Sequence, residues 1–559
     1  MIRVTSYVER LYGKRQATRI QNELQAYAET LPKETYREDV LWYKSANMYV
    51  VYPDAIGGKK EKPLDNLIDF LPHIKATGFH AIHVLPFLDS PMYDGGFDVK
   101  DFYTVRKNLG TMEDIQRLRK TARSLGLRLF MDLIFNHVSK EHTWFQKAIG
   151  GSKIYRNYFI HTKVKPIFLR KIHKKAAVWA VYLVNGKERM VNIAFPEFAG
   201  AIPHWTQAED GYWYYHTYRP DQLDINWKNP DVFLACAKVL IFWANKGFHF
   251  RLDAIPFVGK SAYKKINSRG NFTHHLLAAL NHIAKQVNPE CVFILETYEH
   301  LDTVIGYLGK QNVQQAELLY GFHLCTSLWV SLVKKDTQHI WQALKKIQKI
   351  PTFAQWINFL RNHDELSLAY LNSATLHDVQ ETLLPNGKSF REGYGIAGRT
   401  FSLLGEDTGR FFMAYFLLFS LPGGILIPYG DEFAKKNTVS PQVAKDARNI
   451  HRGMLTESFL KEHMHGDITQ TFSHLMHVRR TMQQYFAVYP RKLPATKDLF
   501  HAEYILGNSR MKIIINTSEH EKKIACNLAG YKKIAQVNEA KTEGKSIFLG
   551  PYGGLWLLR

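Results

Sequence analysis

Short apolar runs recur along the middle of the chain, and four of them close on charged or amide residues. Residues 127–132 read Leu-Arg-Leu-Phe-Met-Asp and continue to Asn136-His137, and 247–254 read Gly-Phe-His-Phe-Arg-Leu-Asp-Ala. Residues 292–296 read Val-Phe-Ile-Leu-Glu, and 356–360, Trp-Ile-Asn-Phe-Leu, lead to Asn362-His363-Asp364. Such runs predict buried strands, and the stretches between them are long enough for helices. Residues 48–53 and 81–86 supply two further strands with a helix over 65–77 between them. The pattern predicts an α/β fold, a (β/α)8 TIM barrel, whose site is assembled from the C-terminal ends of several strands.

The pattern changes outside this region. Residues 1–40 carry Leu11, Ile20, Leu24, Tyr27 and Leu31 among charges and end near Pro32, which predicts an N-terminal helical extension. Residues 41–137 and 206–475 form the barrel. The irregular segment 138–205 after the third strand is too long for an ordinary βα loop and predicts an inserted domain. From 480 to 559, short strand-like runs such as 511–516 and 554–558 alternate with turns and predict an all-β C-terminal domain. Residues 411–430 are apolar over the length of a bilayer crossing, but Pro422-Gly423-Gly424 interrupts them. A buried helix, a turn and a buried strand over 424–428 fit better.

In a strand, residues two apart share a face, so Arg251 and Asp253 point the same way. A neighbouring arginine lowers a carboxylate's pKa, which suits a nucleophile; a structural ion pair at a strand end is the alternative. Glu296 ends an apolar strand, where partial burial and nearby carboxylates raise its pKa, as an acid requires.

These four stretches, in this order, resemble the signature regions of the α-amylase family, glycoside hydrolase family 13. Asp-x-x-x-Asn-His is matched from Asp132 to His137, and Gly-Phe-Arg-x-Asp-Ala from Phe250 to Ala254, with His249 where glycine is usual. The third region centres on Glu296, with Leu295 where glycine is usual, and the fourth is Asn362-His363-Asp364. A fifth appears as Gln222-Leu223-Asp224-Ile225-Asn226. The resemblance covers nearly the whole chain beyond its first forty residues and implies that the 138–205 insertion is the family's domain B. The stretches 359–366, 417–423 and 429–432 are similar to trehalose synthases and oligosaccharide α-glucosidases. The Asp94-Gly95-Gly96-Phe97-Asp98 loop is similar to sucrose-phosphorylase-like members.

By that resemblance Asp253 is the nucleophile, Glu296 the acid/base, and Asp364 the group that binds the hydroxyls of the distorted sugar. Arg251 pairs with the nucleophile, and His137 and His363 donate to the same sugar. Phe97 stacks under the sugar and Asp98 binds its hydroxyls, closing the site behind a terminal residue; a turn Asp capping the next element is the other reading of Asp98. Asp132, Asn136 and Asn362 support the site. In many amylases the asparagine at position 136 also helps hold calcium, but residues 54–60 lack the alternating Asp/Asn pattern of a calcium loop, so no metal and no cofactor is expected.

The implied activity is that of a retaining α-glycosidase on short α-glucans or α-glucosides, through a covalent glucosyl-Asp intermediate. A trehalose synthase or sucrose-phosphorylase-like transglycosidase shares the same triad, and an inactive amylase-like binding protein would normally have lost one of its members. The formal charge of +22 favours polyanions, anionic lipid or phosphorylated substrates, but the basic residues are spread along the chain, with local clusters at 59–62 and 170–175. Neither cluster lies in a nucleic-acid-binding motif, so the expected partner is a small carbohydrate, with no nucleic acid and no membrane. The four scattered cysteines read as isolated thiols, and residues 1–7 lack an apolar secretory core, which together predict a cytoplasmic enzyme.

Overall fold

The computed structural model describes residues 6–32, 41–174, 177–260, 262, 271–369 and 371–559. Eight parallel strands close into a barrel: β1 (Asn47–Val51), β2 (Ala81–Val84), β3 (Arg128–Leu133), β4 (His249–Leu252), β5 (Phe293–Leu295), β6 (Leu318–Tyr320), β7 (Gln355–Asn358) and β8 (Gly424–Pro428). Pairing of Asn47 with Ile425 and Met48 with Leu426 completes the ring. The strands are buried along their whole length apart from Arg128 at the start of β3, as expected where helices cover the outside and side chains fill the inside. Strand β6 escapes sequence reading because its ordered core is only three residues long.

The helix between β1 and β2, Pro63–Ala76, starts with proline at its first position, where the missing N–H costs no hydrogen bond. The apolar stretch near 411–430 is the helix Thr408–Phe419 followed by a turn and β8. Gly423 makes that turn at φ 98°, and a Cβ there would lie 2.8 Å from the Trp356 carbonyl. The buried Arg479 guanidinium closes the end of the same helix by donating to the carbonyls of Phe419, Leu421 and Gly423, where carbonyls lack helical partners. Among the described residues no helix is long and apolar enough to cross a membrane.

Two helices precede the barrel: Ser6–Tyr12 packs on the helix Asn271–Val287, and Lys14–Glu29 on the helix Pro230–Asn245. Arg19 meets Asp231 at 2.6 Å, and Tyr12 donates to the Trp227 carbonyl at 2.6 Å. At the other end, the five-stranded antiparallel sheet of residues 491–558 docks on the barrel through Trp556, stacked on Phe416 with centroids 5.0 Å apart. The insertion between β3 and β4 begins with His137–Ser139, which pairs antiparallel with Gln222–Asp224, so its closing strand lies beyond residue 205. It carries a three-stranded sheet of Ile167–His173, Val178–Val184 and Lys187–Ile193.

His249, in place of the usual glycine, sits at the start of β4, away from the carboxylates at the strand's other end. Its ring packs between Trp42 and Phe130, each 5.0 Å away, and its Nδ1 accepts from the Val292 N–H at 3.2 Å.

Candidate active site

The inward alternation of β3 and β4 brings Asp132 and Arg251 face to face in paired register. The buried Arg251 donates to Asp132 at 2.8 Å and to Asp253 at 2.5 Å, and its other terminal nitrogen lies 3.0 Å from Glu296. Asp132 is held from behind by His83 at 3.0 Å. One guanidinium fork therefore gathers carboxylates from the ends of three strands. Just after Asp253, Ala254 adopts a left-handed conformation, φ 56° and ψ 36°, which costs a non-glycine residue about 1 kcal/mol. That turn aims the Ala254 N–H at Glu296, 2.9 Å away.

Burial is the largest influence on each of these acids. It pushes Asp253 up to about 6 despite the opposing pull of Arg251. The expectation that the arginine would lower this pKa is thus reversed, because Asp132 and Asp364 add repulsion to desolvation. Glu296 is pushed up to about 7 by burial, with Asp253 and Asp364 adding to it against Arg251. At Asp364 burial again raises the pKa, but His363, Arg448 and Arg452 overcome it and hold the carboxyl well below its ordinary value. Arg448 and Arg452 lie 3.2 Å and 3.1 Å from one of its oxygens, and His363 lies 3.0 Å from the other.

The loop after β2 departs from the sequence reading. Asp98 is fully buried and accepts from the Ser90 hydroxyl at 3.0 Å, the Tyr93 N–H at 2.9 Å and the Asp94 N–H at 3.2 Å. These donors belong to its own loop, so the geometry places Asp98 as a turn residue, the other reading left open above. Asp94 instead faces the carboxylate cluster: it accepts from Arg448 at 2.8 Å and from Gln222 at 3.0 Å. Phe97 stacks on His363 with centroids 5.3 Å apart and planes 10° apart, beside the Arg251 guanidinium.

The two histidines differ. His137 is occupied, its Nε2 against the Phe97 carbonyl at 3.0 Å and its Nδ1 near the Asn136 amide at 3.1 Å. The Nε2 of buried His363 meets Asp364 at 3.0 Å, while its Nδ1 has no hydrogen-bond partner among the described residues and is left for a bound molecule or water. Asn362 caps the turn by accepting from the Asp364 N–H at 2.9 Å.

Sequence reasoning missed Lys260, seven residues past Asp253. Its ammonium donates to Asn136 at 2.7 Å and the Phe257 carbonyl at 3.0 Å, and pairs with the buried Asp224 of the insertion. A protein cation therefore already occupies the place between Asn136 and Asp224. Among the described residues no group of three or more His, Cys, Asp or Glu is arranged to hold a metal ion. Asp94, Arg448 and Arg452 were also missed, since Asp94 and Arg452 sit in loops and Arg448 in the one-turn 3-10 helix Ala447–Ile450, all without periodicity; only the position of Asp94 in the Asp98 loop offered a signal.

Above the carboxylates, Phe195 of the insertion meets Phe390 from the segment between β7 and β8 at 5.5 Å. The Arg448 guanidinium lies 4.8 Å from the first ring and 4.9 Å from the second. The Glu392 N–H donates to Glu197 at 2.8 Å, so the two segments form a roof over one side of the cleft.

A closed parallel barrel with acids gathered round one arginine at the C-terminal strand ends has the construction of a barrel enzyme with a small-molecule site. The family model described as "Alpha amylase, catalytic domain" matches residues 53–383, and the chain belongs to the alpha-amylase family. A trehalose synthase of Thermus thermophilus is 29% identical over 408 residues, covering 70% of this chain but 39% of that protein. The trehalose synthase/amylase TreS of Mycobacterium tuberculosis (strain CDC 1551 / Oshkosh) is 28% identical, covering 72% of this chain and 64% of its own length. The chain thus spans well under the full length of these relatives. A salivary alpha-glucosidase of Anopheles gambiae is 27% identical over 62% of this chain and 61% of its own. Among solved structures, the alpha-amylase from H. orenii superposes with a TM-score of 0.70 at 16% identity, over 92% of this chain and 99% of its own.

Proposed function

We propose that the chain acts on α-glucosidic bonds of short α-glucans or α-glucosides with retention of configuration. The observation that carries this reading is the Arg251 fork: Asp253 and Glu296 share one guanidinium, at 2.5 Å and 3.0 Å. Retaining glycosidases need their two carboxyl groups close together, about 5 Å apart, and binding to the two terminal nitrogens of one arginine, which holds Asp253 and Glu296 near each other, supports that relation. Asp253 attacks the anomeric carbon, and Glu296 gives its proton to the departing oxygen. A covalent glucosyl-Asp253 intermediate results, and Glu296 then takes a proton from the incoming acceptor. Asp364, kept ionised by two arginines, accepts from the sugar's hydroxyls and favours the oxocarbenium-like transition state. The Asp94–Arg448–Asp364 chain closes one end of the pocket and supports short substrates.

A second reading, transfer of the glucosyl group to a sugar, is favoured by the trehalose synthases among the relatives and by the roof of Phe195 and Phe390, which shields the intermediate from bulk water. The test is product analysis with maltose, trehalose, sucrose and maltooligosaccharides, with and without phosphate. Glucose formed by the wild type and absent with Asp253→Asn is the expected result. Trehalose from maltose establishes transfer to a sugar, and a sugar phosphate formed only with phosphate establishes phosphorolysis. Absence of any turnover overturns the enzymatic reading.

A further inference from the structure

The three-stranded sheet of the insertion has one face packed on the protein, where Val178, Ala180 and Tyr182 join Trp205 and Tyr215 in a buried cluster. Its edge strand, Ile167–His173, lies at the surface, as does the Leu183 end of the opposite face, although Val181 on that face is buried; the edge strand pairs only with Val178–Val184 among the described residues. Val164 is 75% exposed, Ile167 53%, Leu169 41% and Leu183 38%. Four of the thirteen exposed large hydrophobic residues described in this chain thus fall within 164–183. Ile167 and Leu183 are direct cross-strand partners, so they form one apolar spot. Leu169 occupies the bulge between Phe168 and Arg170, where an extra residue turns outward.

Basic side chains frame this spot. Lys163, Lys165, Lys171, Lys174, Lys187 and Arg189 are all exposed; Lys171, Lys187 and Arg189 pair with Ala180, Val184 and Tyr182 and so leave the sheet on its packed side, at its rim. The one acid between residues 163 and 189 is Glu188, and Arg170 neutralises it through two bonds at 2.8 Å and 3.0 Å. A surface that joins exposed aliphatics to unbalanced positive charge is complementary to something both acidic and apolar. A soluble polyanion would use the lysines and leave the aliphatics without a partner. A second copy of this chain, also at +22, would be repelled.

We propose that this sheet docks the protein on an anionic lipid bilayer, with Val164, Ile167, Leu169 and Leu183 entering the headgroup region and the lysine frame held at the charged surface. Docking here is peripheral and revises the sequence expectation of no membrane partner without requiring a spanning segment.

The test is sedimentation of the full chain with vesicles of phosphatidylcholine alone and of phosphatidylcholine mixed with phosphatidylglycerol. The expected result is partition into the anionic vesicles at least about tenfold above the neutral ones, weakening as salt is added. Lys163→Gln/Lys165→Gln/Lys171→Gln lowers that partition by about a hundredfold. Ile167→Ser/Leu169→Ser/Leu183→Ser lowers it by about tenfold at unchanged charge. All six positions are exposed, and an unchanged melting temperature certifies folding. Failure to sediment with anionic vesicles, or equal sedimentation with neutral ones, overturns the proposal. Unchanged sedimentation of the serine variant overturns it too, since charge alone then accounts for the attraction.

Discussion

Replacing Lys260 by methionine removes one charge from a buried pair while nearly keeping its volume. The side chain of Lys260 is 6% exposed and that of Asp224 is fully buried. Breaking a buried ion pair at one partner costs about 3–5 kcal/mol, because the remaining charge is stranded. Asp224 keeps three neutral donors, the Thr217 N–H at 3.1 Å, the Thr217 hydroxyl at 2.5 Å and the Asn136 amide at 3.2 Å. These place the loss at the lower end, about 3 kcal/mol at neutral pH. An unfolding entropy of about 2.1 cal/mol/K per residue over 559 residues is about 1.2 kcal/mol/K, so the melting temperature falls by ~2–3 °C if the chain unfolds as one unit.

Thermal unfolding at neutral pH is the assay, with the double variant Lys260→Met/Asp224→Asn as its control. Removing both charges restores most of the loss, since a neutral pair strands nothing. A single variant within about 0.5 kcal/mol of wild type, or a double variant no better than the single, refutes the reasoning.

Four further outcomes follow from the same geometry. Glu296→Gln lowers turnover of natural sugars by about 10²–10⁴-fold and spares glycosides with activated leaving groups, measured by steady-state kinetics; equal retention on both kinds of substrate contradicts its role as acid. The kcat/KM profile is bell-shaped: it falls below about 6 as Asp253 gains a proton and above about 7 as Glu296 loses one, and a flat profile from 5 to 8 rules this out. Asp94→Asn lowers kcat/KM by about 10–100-fold with little change in melting temperature, measured side by side. Asp98→Asn chiefly lowers the melting temperature; the opposite split would return the sugar-binding role to Asp98.

The barrel was legible because its strands are continuous apolar runs closing on carboxylates, and that signal weakens with length. Strand β6 spans only Leu318–Tyr320 and carries no terminal motif to compensate. Asp253 and Glu296 could be read because each directly follows a strand, where neighbours in sequence are neighbours in space, and Asp364, six residues beyond its strand, because it closes the Asn-His-Asp stretch. Arg448 lies 84 positions from Asp364 and 354 from Asp94, and no local pattern ties an arginine of a one-turn helix to partners so distant. Asp98 shows the reverse case: its partners Ser90, Tyr93 and Asp94 are all within eight residues. A local turn can satisfy an aspartate completely, and the motif alone does not reveal that it has.

The charge balance around Arg251 also explains why two acids of the same cluster should take different parts. Three carboxylates, Asp132, Asp253 and Glu296, share one guanidinium cation, and burial denies them water. Asp132 has a second stabilising partner in His83, and Asp364 has Arg448 and Arg452, so those two keep their charge at little cost. Asp253 and Glu296 are left to divide Arg251. Asp253 holds the shorter contact, 2.5 Å against 3.0 Å, and among the described residues Glu296 has in addition only the Ala254 N–H. When a proton enters this cluster it therefore settles on Glu296 first, which leaves Asp253 ionised beside a protonated Glu296 in the interval between about 6 and about 7, as the proposed roles of nucleophile and acid require. Removing Arg251 would raise both acids together and erase that interval, so Arg251→Met should abolish turnover at every pH rather than displace its optimum.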